Sequence, residues 1–113
     1  MCPMQDDERC LIVAFVTPKP EEFDRVKAIL EAIIPEVHNE PGCDFYALHL
    51  DSLGRLAFIE AWTTRALWLE HMEAPTVARI REQTSGLLAA ETEIFELSAR
   101  PVGGAKGLVP STV

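Results

Sequence analysis

This chain of 113 residues predicts an α+β fold built on one four-stranded antiparallel sheet, and three observations predict it. Short apolar stretches rich in β-branched and aromatic residues alternate with stretches whose apolar residues recur every three or four positions. Turn-forming residues separate them, at Pro18-Lys19-Pro20, Pro41-Gly42 and Asp51-Ser52-Leu53-Gly54. The resulting order, β-α-β-β-α-α-β, is that of a ferredoxin-like sandwich with helices on one face of the sheet.

Cys10 to Val16 is a continuous apolar run of strand length. Pro20 suits the first position of a helix, and Glu21 and Glu22 suit its positive end. That helix runs to about His38, with Phe23, Val26, Leu30, Ile33 and Val37 on one face. Pro35 should kink or split off its last turn, because it lacks a donor and crowds the carbonyl of Glu31. Asn39 reads as a cap, Pro41 as a stop and Gly42 as a turn position.

The second strand, Cys43 to Leu50, carries Asp44, Tyr46, Leu48 and Leu50 on one face and Cys43, Phe45, Ala47 and His49 on the other. A turn at 51–55 leads to the third strand, Leu56 to Trp62, with Leu56, Phe58, Glu60 and Trp62 facing one way. Thr63 or Thr64 can cap a short helix ending near His71. Pro75 opens another helix with Val77, Ile80 and Thr84 inward, and Glu91 to Leu97 is the fourth strand. Residues 1–9 read as a loose polar tail, 10–98 as the domain, and 99–113 as an irregular tail without regular structure.

The first three strands are largely apolar on both faces, yet helices cover only one. A second copy of the chain is the simplest cover for the other, so the sequence predicts a homodimer joined through sheet faces, a dimeric α+β barrel. The formal net charge of -8 argues against nucleic acid and against anionic membrane surfaces. No apolar run approaches the ~20 residues of a membrane helix, and the N-terminus lacks a secretory pattern, so a cytoplasmic location is expected. Cys2, Cys10 and Cys43 lack metal-ligand spacing and are expected as thiols, with Cys43 a small buried hydrophobe.

The residues able to carry chemistry fall in one ordered constellation. Asn39-Glu40-Pro41-Gly42-Cys43 precedes a strand bearing Tyr46, then come Glu60-Ala61-Trp62 and finally His71. His71 can exchange a proton near neutrality, or it can cap helix carbonyls or pack on Trp62 or Trp68. Glu60 on an apolar face must be paired or hold its proton. It reads as a structural acceptor at a dimer seam or as a base. Tyr46 can bond a substrate oxygen, and a flat Trp62 indole suits an aromatic ring. No histidine pairs with a nearby His or Cys as zinc ligands do, and no Gly-rich phosphate loop follows a strand, so no metal, nucleotide or flavin cofactor is expected.

This order resembles the antibiotic biosynthesis monooxygenase family across about Cys10 to Leu97. The resemblance implies a pocket between helices and sheet, bordered by His71 and lined by Trp62, and a small monooxygenase without metal or flavin. Its partners would be dioxygen and a small aromatic metabolite such as a quinol or anthrone. Within such a pocket His71 is the candidate catalytic base, and Trp62, Tyr46 and Glu60 are the candidate substrate-binding residues. Haem-degrading members also use an Asn on the first strand, and Leu11 to Val16 contains none, which weighs against haem. An isomerase or a non-catalytic small-molecule-binding protein of the same fold stays open beside the oxygenase. The short step from Trp62 to His71 should bring indole and imidazole to one cavity mouth.

Overall fold

A computed structural model of the chain describes residues 5–110, so Cys2 and the extreme ends of both tails lie outside the described residues. The strands β1 (Cys10–Val16), β2 (Cys43–Leu50), β3 (Leu56–Trp62) and β4 (Glu93–Leu97) form one sheet in the order β2-β3-β1-β4, every pairing antiparallel. The helices α1 (Phe23–His38), α2 (Arg65–Met72) and α3 (Pro75–Thr84) complete the predicted order. Among the described residues no helix is long and apolar enough to cross a membrane.

The register shows which residues face the helices. Cys10, Ile12, Ala14 and Val16 of β1 stand opposite Trp62, Glu60, Phe58 and Leu56 of β3. With Val26, Leu30, Ile33 and Val37 of α1 and Tyr46 of β2 they make the buried core. The opposite face presents Leu11, Val13, Phe15, Phe45, Ile59, Phe95 and Leu97, and among the described residues none of the three helices packs on it.

Several local features depart from expectation. Pro20–Glu22 forms a 3-10 turn before α1 begins at Phe23. Pro35 neither splits nor ends α1, which continues to His38. Val37 is fully buried beyond it, and the Asn39 amide donates to the Pro35 carbonyl at 3.3 Å, so packing holds the turn that the missing donor loosens. In β2 a bulge falls at Asp44, so that Cys43 opposes Trp62 while Phe45 opposes Ala61. Cys43 therefore shares the helix-facing side with Tyr46 instead of lying with Phe45. It is half-buried, less enclosed than expected.

β4 is two residues shorter than predicted. Residues 5–9 are not a loose tail. The carbonyls of Asp6 and Glu8 accept the N–H groups of Ala66 and Arg65, and the Arg65 guanidinium bridges Asp6 and Glu96 at 2.8 and 2.7 Å. These bonds complete the N-terminus of α2, whose Thr64 hydroxyl accepts from Leu67 N–H as a cap. The C-terminal tail contains a 3-10 turn at Gly104–Gly107, a regular piece in a segment expected to have none. It returns to the body where Arg9 donates to the carbonyls of Val109 and Pro110.

Candidate functional site

The helix-facing side of the sheet does not close completely against α2 and α3. A cavity of about 120 Å³ remains between Ala14, Val16, Tyr46, Phe58 and Glu60 of the sheet and His71, Met72, Val77, Ile80 and Arg81 of the helices. Thr84, Leu88, Thr92 and Ile94 also line it. Tyr46, Glu60 and His71 are buried, whereas Arg81, Thr92 and Ile94 are exposed, so the polar floor lies deep and the mouth opens between α3 and β4. Leu88 is held there because residues 87–89 pair with the chain just after β1: Lys19 N–H donates to the Leu87 carbonyl, and Ala89 N–H to that of Thr17.

The four residues singled out from sequence come together. Glu60 and Trp62 lie two apart on the buried face of β3, and the indole Nε1–H donates to Glu60 Oε1 at 2.9 Å. The His71 imidazole stacks on the Trp62 indole, with ring centroids 4.5 Å apart and 28° between planes. Tyr46 meets His71 edge-on at 5.6 Å and stacks on Phe58 at 4.5 Å. One expectation fails in detail. Indole and imidazole meet at the floor, not at the mouth: Trp62 is fully buried behind the imidazole, and His71 is only 4% exposed.

A residue without a role in the sequence reading organises this floor. Glu40, in the turn after α1, accepts from His71 Nδ1 at 2.8 Å through Oε1 and from the Thr76 hydroxyl at 2.7 Å through Oε2. A carboxylate only accepts, so the imidazole hydrogen sits on Nδ1 and Nε2 is the bare nitrogen. Glu40 stands 31 residues from His71 in sequence. Only its place before Pro41-Gly42, where the chain reverses over the sheet, hinted that it could reach the site. Gly42 makes that reversal possible. Its φ is +82°, and a Cβ there would lie 2.5 Å from the Leu67 side chain.

Burial sets the protonation states. It pushes the Glu60 carboxyl up to about 7, against which the Trp62 hydrogen bond pulls downward. Burial lowers His71 below the usual histidine range, partly opposed by its bond to Glu40, so the imidazole is neutral at pH 7 and can accept a proton. Burial raises Tyr46 well above the ordinary phenol, leaving it a hydroxyl donor. The Cys10 and Cys43 thiols are pushed up to about 11, also chiefly by burial, and neither is a nucleophile near neutrality. Among the described residues no three His, Cys, Asp or Glu side chains gather into a metal-holding group. The other histidines are used elsewhere, His38 against the Tyr46 carbonyl and His49 against that of Ala47.

Comparison with known proteins gives this arrangement a context. The antibiotic biosynthesis monooxygenase profile matches residues 10–83. The Synechocystis protein sll1783 is 27% identical over 81% of this chain, but that match spans only 65% of its own length, under two thirds. The protein Rv0793 of Mycobacterium tuberculosis is 27% identical over 77% of this chain and 87% of its own. In three dimensions the Rv0793 structure superposes with a TM-score of 0.77 at 26% identity, covering 87% of this chain and 99% of that one. A Nitrosomonas europaea structure shares the fold at a TM-score of 0.77 and 15% identity, over 87% and 95% of the two chains. With well over half of its length under the family profile, the chain belongs to the antibiotic biosynthesis monooxygenase family.

Proposed function

We propose that this protein is a monooxygenase that needs neither metal nor flavin and acts on a single-ring quinol or similar phenol. The observation that carries the reading is the floor of the cavity. Tyr46 OH, His71 Nε2 and the second oxygen of Glu60 have no hydrogen-bond partner among the described residues, yet all three side chains line one small, otherwise largely apolar space. An apolar cavity of about 150 Å³ takes a benzene ring. The volume of about 120 Å³ therefore favours one ring over the three of an anthrone.

The chemistry asks little of the protein. His71 Nε2 takes the phenolic proton, while Glu40 holds the ring and stabilises the imidazolium that forms. The electron-rich anion passes one electron to dioxygen, and the phenoxyl radical and superoxide join as a carbon-bound peroxide anion. Imidazolium returns its proton to the peroxide. Loss of the ring C–H proton with the distal oxygen then gives water and a new carbonyl. One quinol and one dioxygen become one hydroxyquinone and one water. Tyr46, a neutral donor, suits the oxygen on which charge develops.

A second reading rests on the same floor. Glu60, a buried carboxyl pushed up to about 7, and His71, a buried imidazole lowered below the usual histidine range, would also serve isomerisation of a small carbonyl compound as paired acid and base. Oxygen uptake with a hydroquinone panel in chelator separates the two. Uptake coupled to hydroxyquinone formation supports the oxygenase, and proton exchange into a carbonyl substrate without uptake supports the isomerase. Membership of the family and the polar floor also suit a non-catalytic binder, which would show neither.

A further inference from the structure

The mouth of the cavity holds a cation that the proposed chemistry does not use. Arg81, in the last turn of α3, lines the cavity and is exposed there. Every other arginine of the chain makes a hydrogen bond or an ion pair, from Arg9 with Asp44 to Arg79 with Glu36. Arg81 makes none among the described residues. It is also the sole Lys or Arg among the lining residues of this cavity, in a chain of net charge -8. A cation at a helix C-terminus complements the dipole there, but that role does not require it to border a cavity whose far end is polar.

The two ends of the cavity differ in sign. The floor carries the Glu60 carboxyl backed by Glu40, and both would repel an anionic substituent. The middle is apolar, with Phe58, Val77 and Ile80. The mouth offers a forked guanidinium, whose geometry fits a carboxylate through two parallel hydrogen bonds. A ligand with a neutral hydroxyl at one end, one ring, and a carboxylate at the other matches all three zones in a single orientation. We propose that the molecule bound here is a hydroxylated single-ring carboxylic acid, entering ring first and held at the mouth by Arg81 through its carboxylate. The inference rests on the proposed oxygenase site for its ring and hydroxyl, and adds the charge of the substrate.

The test measures binding without dioxygen, so it does not depend on turnover. Calorimetric titration under anaerobic conditions, with chelator, compares 2,5-dihydroxybenzoate with its uncharged amide on wild type, Arg81→Gln and Arg81→Lys. Wild type should bind the acid at least ~10-fold more tightly than the amide. Arg81→Gln should bring that ratio near one while leaving the amide unchanged, and Arg81→Lys should keep part of the preference because it keeps charge but not the fork. Equal affinities in wild type, no binding of the acid, or an Arg81→Gln loss shared equally by acid and amide would each overturn the proposal. Oxygen uptake is scored separately with the same acid. A tight, Arg81-dependent acid that consumes no dioxygen would leave this inference standing and remove the oxygenase.

Discussion

The Glu60 carboxyl, 5% exposed and bonded by the Trp62 indole, titrates at about 7, where an ordinary glutamate titrates at 4.5. The folded state therefore holds this proton more tightly than the unfolded chain does. The stability it contributes is complete below about pH 4.5, falls as pH rises through 7, and is level above, by roughly 3 kcal/mol in all. His71 acts in the opposite sense. Its depressed value makes stability fall as pH drops below the unfolded histidine value of about 6.5. Urea melts at several pH values should show Glu60→Gln removing the decline between pH 4.5 and 7, and an unchanged slope would mean that Glu60 is not buried as a carboxylic acid. His71→Ala should lower turnover ~10²–10⁴-fold as the base is lost. It should also reduce stability, because the imidazole is packed on Trp62 instead of standing at a rim. Glu40→Gln separates the two effects. It keeps the volume and one acceptor but weakens support for the imidazolium, so the acid limb of the rate profile should move to lower pH with little change in melting temperature. That Glu60 and Trp62 share a face was readable from alternation along one strand, whereas a common pocket with His71 was an expectation of the family resemblance and Tyr46 could be assigned to it only as a candidate. Glu40 was not readable, because its reach to His71 depends on how a turn folds across the sheet.

At the scale of elements, the turn at Gly42 shows what local sequence does and does not reveal. Pro41-Gly42 announced a reversal, and the positive φ of +82° bears that out. The closeness of Leu67 could not be read from spacing, since it arises where α2 packs back over the turn. Gly42→Ala meets both obstacles, an unfavourable backbone conformation and a Cβ driven into a side chain. It should destabilise by about 1–3 kcal/mol, seen as a lower urea midpoint. A midpoint equal to wild type would show that Leu67 moves aside freely. The same turn carries Glu40, so this variant should also weaken turnover. The strands were legible nearly to the residue because their apolar runs are bounded by turn chemistry on both sides. The bulge at Asp44 was not, because strict alternation is the only rule a sequence offers, and one extra residue shifted Cys43 to the other face. Pro35 does not split off the last turn for a related reason: propensity argues for a disturbance there, and the burial of Val37 keeps the helix continuous to His38.

For the whole molecule, the open face of the sheet is the feature that most constrains assembly. Leu11, Val13, Phe15, Phe45 and Ile59 lie on it, joined from the edge strand by Phe95 and Leu97. Ile59, in the middle strand pair, is 43% exposed, and Phe95 is 47% exposed. An antiparallel sheet that met water on this side would alternate with polar residues. An exposed, mostly apolar sheet face of this kind favours a protein contact, and a second copy lying face to face by two-fold symmetry would cover it with equivalent residues. The homodimer expected from sequence therefore remains the reading that the exposed face supports. Charge placed at the centre of that face tests it most directly. Ile59→Asp puts a carboxylate where the facing sheet would allow neither water nor a counter-ion, and its side chain points away from the cavity, so the site itself is untouched. Light scattering at micromolar concentration should give a dimer mass for wild type and a monomer mass for Ile59→Asp, with a melting temperature that now falls on dilution in wild type alone. A wild-type monomer mass would show that the face is covered otherwise. A variant that stays dimeric would place the contact on another surface.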